Sequence, residues 1–424
     1  MAARTLGAYV HVPFCASRCG YCDFNTYTAT ELQRDGSTVS ADTYSNRVIA
    51  EINWGHAQHP DSRMIETVFF GGGTPTMLSA TDLVRILAAL RNSYGLSPDA
   101  EVTTEANPDS VTREYLATLK DGGFTRISFG HQSSASHVLQ LLERTHTPGK
   151  TWDAIAWARE VGFEHVSVDL IYGSPNETDD DLRETLQQVV AADVDHVSAY
   201  SLIVEQGTRL AGRVSRGEVP IPSDDVAAHR YVQIDNALSA AGFTWYEVSN
   251  WAKPNGECRH NIGYWRNQDW LGIGPGAHAH HDGVRSWNVK HPATWAAAID
   301  KALSPVADSE TLDPADRRHE DIMLRLRLRE GLPISMVSNT ALEQAHRAIA
   351  EGLLLLQPGT SSGSASPDLK HGNVESDLNR QDPIAQTEDG GAEFGNSQSG
   401  LEDRLVLTDA GRLLADGLVA RLWD

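Results

Sequence analysis

The sequence predicts an α/β protein with parallel strands, on three observations. Short runs of β-forming residues alternate with helical stretches over roughly the first two hundred residues, the pattern of repeated βα units. A phrase recurs along the chain: Gly123-Phe124-Thr125-Arg126-Ile127-Ser128, Gly162-Phe163-Glu164-His165-Val166-Ser167, Asp193-Val194-Asp195-His196-Val197-Ser198 and Gly242-Phe243-Thr244-Trp245-Tyr246-Glu247. In each, a helix ends at a small or polar residue, an apolar side chain re-enters the core, and a strand begins two positions on. Finally, 424 residues of 40% hydrophobic composition suffice for one large domain and a smaller one. Parallel strands need right-handed crossovers and carry functional side chains at their C-terminal ends, whether the sheet closes partly into a barrel or stays open.

The first strand is the apolar run that leads into Pro13. Residues 28–43 are polar, and a helix is expected at 44–56. The run 65–70 is a second strand, stopped by Gly71-Gly72-Gly73-Thr74-Pro75 and followed by a helix at 79–91. A third strand covers 100–105, and Pro108-Asp109-Ser110 caps a helix at 110–120. The recurring phrases start the later strands. From 243 to about 288 the composition turns to Trp, Gly, Asn and His, expected as long ordered loops rather than helix or strand. Helices follow at 317–329 and 336–351, joined around Gly331-Leu332-Pro333. Residues 358–403 fill with Ser, Gly, Asp, Glu, Asn and Gln, the composition of a disordered insertion. A strand at 404–407 and a helix at 409–422 end the chain. The expected domains are 1–242, the βα units; 243–312, a Trp/Gly/His-rich extension; and 313–424, a winged-helix-like domain interrupted at the tip of its strand pair by 358–403.

The balance of 35 basic against 57 acidic residues, a net charge of −22, speaks against an extended contact with a phosphate backbone, so nucleic acid is not an expected partner. Apolar runs fall short of the ~18 to 20 residues that span a bilayer, and the N-terminus has no secretory signal, which together imply a cytoplasmic, reducing location.

Three of the four cysteines, Cys15, Cys19 and Cys22, stand in C-x3-C-x2-C spacing directly after the first strand. Three thiolates on one loop hold three irons of a four-iron, four-sulfur cluster and leave the fourth iron open for chemistry. A structural zinc site needs a fourth ligand, and Cys258 is remote and lacks a C-x2-C partner; disulfides need an oxidising compartment. The triplet, with the aromatic Tyr21 before its third cysteine, resembles the radical S-adenosylmethionine (SAM) superfamily. That resemblance implies a [4Fe-4S] cluster whose free iron is chelated by SAM, with one-electron cleavage to methionine and a 5′-deoxyadenosyl radical. It also implies a partial (β/α)6 TIM-like barrel. In the superfamily a Gly-Gly-Thr-Pro stretch, here Gly72, Gly73, Thr74 and Pro75, presents backbone to the cofactor, where a Cβ would block the approach.

Glu105, Gln132 and Asp169 fall at or just after strand ends, and Arg144 lies on the connection beyond Gln132. A carboxylate facing the ribose and an arginine facing the cofactor carboxylate would match the ligand's charges. The set resembles the coproporphyrinogen-oxidase-like branch, in which Tyr9, Glu105, Gln132, Arg144 and Asp169 hold SAM. Within that branch, oxygen-independent coproporphyrinogen III oxidases carry another cysteine two residues after the third, where this chain has Phe24, so decarboxylase activity is not expected.

Cys22-Asp23-Phe24 instead resembles the haem chaperone group of HemW type, as does Cys258-Arg259-His260-Asn261-Ile262-Gly263-Tyr264-Trp265 with its H-N-x-x-Y-W signature. On the residues alone, His260 is either an axial ligand of haem or a histidine hydrogen-bonded within a Trp-rich loop. The signature favours the ligand, with Cys258 second and His278 third. Since 258–265 lies beyond the barrel strands, a haem site distinct from the cluster is expected. The resemblance further implies apo-haemoproteins such as respiratory cytochromes as recipients and an electron donor as partner, and it allows transient association with a membrane surface.

Overall fold

A computed structural model describes residues 4–34, 39–147, 149–359 and 402–423. The chain divides into two compact units, Met1–Arg329 and Glu330–Asp424.

In the first unit six consecutive strands are parallel neighbours in sequence order: β1 (Leu6–Val12), β2 (Ile65–Gly72), β3 (Leu96–Ala106), β4 (Arg126–Gln132), β5 (His165–Tyr172) and β6 (His196–Ser201). Each is followed by at least one helix before the next strand, including Ala41–Gln58, Ala80–Tyr94, Arg113–Asp121, Lys150–Glu160 and Asp179–Ala191; the helix Asp224–Ala240 follows β6. This is the expected (β/α)6 arrangement. The sheet does not close on itself. Beyond β6 it continues antiparallel into β8 (Asn250–Ala252) and β7 (Thr244–Glu247). On the other side β1 pairs in parallel with β9 (Asp269–Ile273), which leads to β10 (His278–His281), β11 (Val284–Asn288) and β12 (Val306–Thr311).

Residues 243–288 therefore differ from the loops expected of them. They supply five strands of three to five residues and the helix Arg259–Trp265. Such runs are too short for periodicity to register, and left-handed residues at Asn255, Asn267, Gly274, Gly276 and Asp282 interrupt them. The capping sequence at 108–110 also acts differently. It forms a 3-10 turn, and Thr112 caps the helix by accepting from Tyr115 N–H at 3.2 Å.

The core lies between the sheet and its helices. Alternation in β1 buries Leu6, Ala8, Val10 and Val12 on one face, which leaves Tyr9 and His11 together on the other. Glu51 pins the distal edge to the helix Ala41–Gln58: its carboxylate accepts from Gly274 N–H, Trp295 Nε1–H and Asn288 Nδ2–H at 2.6 to 2.9 Å. Burial still raises this group to about 7.

The second unit contains the helix Asn339–Ala350, a three-stranded antiparallel sheet ordered β13 (Leu332–Pro333), β15 (Arg404–Leu407), β14 (Leu354–Gln357), and the helices Asp409–Arg412 and Ala415–Leu422. Gln357 pairs with Arg404, so the segment expected as an insertion joins two paired strands; 360–401 lie outside the described residues. Replacing 360–401 by a two-residue turn should leave the melting temperature within about 2 °C and the iron content unchanged, because closing a longer loop costs only slowly more. A fall of ten degrees or more in a calorimetric scan would show that the segment packs on the folded units.

Candidate functional site

The C-terminal ends of β1 to β5 converge on the cysteine loop. Cys15 N–H donates to Tyr27 O at 3.0 Å and Tyr27 N–H to Pro13 O at 2.7 Å, which closes the loop at its base. Gly20 ties it to Leu142 O at 3.0 Å, and Tyr21 packs against the apolar group around Val138, Leu141 and Leu210. The three thiols are free and half-buried. Burial pushes Cys15 up to about 11 and raises Cys22, so these sulfurs ionise when metal compensates their charge.

The Gly71-Gly73 turn runs beside this loop. Gly73 N–H donates to Val12 O at 2.8 Å and Thr74 N–H to Phe14 O at 2.7 Å. A Cβ on Gly73 would lie 2.6 Å from Phe14 O, and one on Gly72, at φ +107°, would lie 2.5 Å from the His11 ring. The glycines are thus required by the chain itself, before any cofactor is considered. Thr74 Oγ1 reaches within 4.0 Å of Cys15 Sγ.

Glu105, at the end of β3, accepts from Gly72 N–H at 3.2 Å. Asp169 of β5 accepts from Ser128 Oγ at 2.9 Å. Removal from water and the nearby Asp169 push Glu105 up to about 8, and burial raises Asp169. Gln132 occupies the left-handed region at φ 69°, at a bulge where β4 slips against β5. Arg144 donates through Nη2 to Gly130 O at 2.7 Å and through Nη1 to Cys19 Sγ at 3.8 Å. Its buried Nε has no partner. Tyr9 OH meets His11 Nδ1 at 2.9 Å, and His11 Nε2 meets Asn25 O at 2.9 Å. Cys15, Cys19, Cys22, Tyr9, Tyr21, Gly72, Gly73, Thr74, Glu105, Gln132, Arg144 and Asp169 are thus gathered at one end of one sheet. Two buried carboxylates with raised pKa values, an incompletely bonded guanidinium and three thiols suit a zwitterionic sulfonium ligand over a cluster.

His260 departs from expectation. It is 3% exposed, and both ring nitrogens are bonded, Nδ1 with Thr67 Oγ1 and Nε2 with Tyr264 OH, each at 2.8 Å. The ring stacks on Phe69 at 5.3 Å. Arg259 and His260 N–H groups both donate to Glu101, at 3.0 and 2.9 Å, and the Cys258 thiol lies 3.5 Å from it. A cavity of about 130 Å³ is lined by Glu105 and Asp169 and also by Cys258, His260 and Tyr264. The signature therefore shares the chamber of the cofactor residues instead of forming a separate loop. Burial lowers His260 to about 4 and raises Cys258 to about 12. His11, Asn25, Phe69 and Glu101 were not anticipated; the alternation that places His11 beside Tyr9 was the signal available for the first.

Fold and cysteine loop define a radical SAM protein: residues 9–189 match the Radical SAM superfamily. The chain belongs to the Heme chaperone HemW family. It is 46% identical over 423 residues to the Heme chaperone HemW of Mycobacterium tuberculosis, covering 100% of this chain and 96% of that one. The Escherichia coli protein of the same name is 32% identical over 361 residues, with 82% and 91% covered. Among solved structures, the E. coli coproporphyrinogen III oxidase HemN, described as a radical SAM enzyme, matches at TM-score 0.76 and 20% identity, with 99% and 90% covered. That likeness concerns the fold.

Replacing any one of Cys15, Cys19 or Cys22 by Ala should reduce iron after anaerobic reconstitution from about four per chain to near none, whereas Cys258→Ala should retain it. Iron loss in Cys258→Ala would overturn the assignment of the three-cysteine loop.

Proposed function

We propose that this protein is a haem chaperone that binds haem and passes it to apo-haemoproteins such as respiratory cytochromes, while carrying a [4Fe-4S] cluster and SAM. The observation that carries the reading is full-length identity to proteins named Heme chaperone HemW, combined with Phe24 at the position where the oxidases have a cysteine. Phe24 is 58% exposed, an aromatic surface where the oxidase has a thiol.

In this reading Cys15, Cys19 and Cys22 hold the cluster. Glu105 and Asp169 face the positive groups and ribose of SAM, Arg144 its carboxylate, and Tyr9, Tyr21, Gly72, Gly73, Thr74 and Gln132 complete the wall. When bound, cluster and SAM supply one-electron chemistry at the open iron. An electron donor is a further partner. No described helix is long and apolar enough to cross a membrane. The proposed location is cytoplasmic, with transient contact at membrane-bound recipients.

Two measurements test this. Purified protein titrated with haem should develop a Soret band and lose it to an added apo-cytochrome. Absence of that band, together with carbon dioxide release from coproporphyrinogen III by the reduced, SAM-loaded protein, would replace the chaperone by the oxidase. The second concerns pH. Glu105 is protonated below about 8 in the free site. A cationic ligand selects the carboxylate, so binding must release that proton and SAM affinity should rise from about pH 6.5 to about pH 8.5. Glu105→Gln should bind at least tenfold more weakly and lose the dependence; equal affinity at both pH values in the native protein, read by calorimetric titration, would remove Glu105 from the site.

A further inference from the structure

We propose that the hydroxyl of Thr26 donates a hydrogen bond to the cysteine sulfurs of the cluster and so sets how readily the cluster accepts its electron. The inference rests on the assignment of Cys15, Cys19 and Cys22 as the cluster's ligands, and adds a residue that tunes the metal without ligating it.

The chain holds Thr26 in place from both sides. Its own N–H donates to Phe24 O at 2.7 Å, and Tyr27 N–H donates to Pro13 O at the same distance. Asn25 donates through Nδ2 to Pro275 O at 3.0 Å and to Lys290 O at 2.8 Å. Phe14 and Tyr27 form a parallel bridge directly before Cys15. Thr26 is 1% exposed, and a β-branched side chain enclosed in this way has little rotamer freedom.

The hydroxyl lacks an oxygen or nitrogen to bond. Oγ1 is buried and has no hydrogen-bond partner of good geometry among the described residues. Neighbouring hydroxyls are served: Thr28 Oγ1 donates to Glu31 at 2.8 Å, and Thr76 Oγ1 meets Ser110 Oγ at 2.5 Å. Of the three buried hydroxyls left without a partner among the described residues, those of Thr26, Thr103 and Ser174, only that of Thr26 lies in the cysteine loop. A buried hydroxyl without an acceptor is costly and calls for an account, by strain, chemistry or a bound group.

The cysteine sulfurs supply that account. Thr26 stands close enough to Cys15 and Cys22 to ease the ionisation of both, against the burial that raises them. A thiol is a weak acceptor, whereas a metal-bound thiolate carries negative charge and takes a hydrogen bond firmly. The hydroxyl therefore gains its partner as the cluster binds. Cys15 and Cys19 have further donors, with Thr74 Oγ1 4.0 Å from Cys15 Sγ and Arg144 Nη1 3.8 Å from Cys19 Sγ. Hydrogen bonds to sulfur favour the reduced, more negative cluster, so each raises its potential. Thr74 and Arg144 also belong to the proposed SAM site, which leaves Thr26 as the donor whose effect is confined to the cluster.

A redox titration of the anaerobically reconstituted full chain decides the matter, with dithionite as reductant and the paramagnetic resonance of the reduced cluster as readout. Thr26→Val should lower the midpoint by about 30 to 60 mV, a roughly three- to tenfold fall in the ratio of reduced to oxidised cluster at a fixed potential. Thr26→Ser, which keeps the hydroxyl, should stay near the native midpoint. A native midpoint in a Thr26→Val protein that holds about four irons per chain would overturn the proposal, as would an equal shift in Thr26→Ser. Thr26→Ala removes the same hydroxyl without setting a methyl group against sulfur, and carries the test if the valine blocks assembly. Loss of iron in both variants would make the hydroxyl a requirement of assembly and overturn its role in the potential. A native chain that takes up no iron would overturn the cluster assignment itself, and the proposal with it.

Discussion

The contact on which the site depends is the passage of the Gly71-Gly73 turn against the end of β1. Two backbone hydrogen bonds, from Gly73 N–H and Thr74 N–H, hold the turn to Val12 and Phe14, immediately before the first cysteine. No side chain larger than hydrogen fits at Gly73, because its Cβ would meet two carbonyl oxygens within 3.0 Å. Gly72 N–H then faces outward to Glu105, so one turn sets both the base of the cluster loop and the position of a carboxylate on β3. A substitution there displaces two halves of the site at once.

The interior of the sheet carries more ionisable groups than an apolar core would, and they fall into two kinds. Glu101 is bonded by two helix N–H groups, lies beside the Cys258 thiol, and has Arg126 Nε at 3.6 Å, while Arg126 also donates to Gly256 O. That compensation is what makes a buried charge tolerable. Glu105 accepts from one backbone N–H and Asp169 from the hydroxyls of Ser128 and Ser198, weaker compensation than a guanidinium, and burial raises the pKa of both. Groups compensated this weakly are suited to a ligand that brings positive charge with it. A structural carboxylate and a binding carboxylate can thus stand four residues apart on one strand.

How legible this was in the sequence follows from the same physics. The six parallel strands and the cysteine triplet were legible because each is set by local pattern: period-two burial, helix-ending glycines, ligand spacing. Glu105, Gln132, Arg144 and Asp169 converge as expected because strand ends in such a sheet share one face. The fourth recurring phrase marked β7, but the edge strands β8 to β12 were not legible. β12 is exposed at every position and has no apolar alternation to detect, and β10 is a run of histidines about one alanine. Nor could spacing reveal that the helix Arg259–Trp265 turns its histidine inward onto Thr67 and Phe69, since that depends on a pairing of distant segments through Glu101.

That inward turn changes the meaning of the H-N-x-x-Y-W segment. His260 stacks on Phe69, Phe69 on Tyr9 at 6.4 Å, and Tyr9 bonds His11, which bonds Asn25 of the cluster loop. The segment is therefore the foot of a continuous column whose head is the loop that carries the cysteines. A residue in such a column affects the cofactor end through packing, whatever else it binds, because rings in contact do not move independently. Loss of haem handling after a change at His260 would then have two sources, ligation or displacement of the column. Only a spectrum of the iron separates them, since a displaced column leaves the axial ligand, and hence the ligand field, as it was.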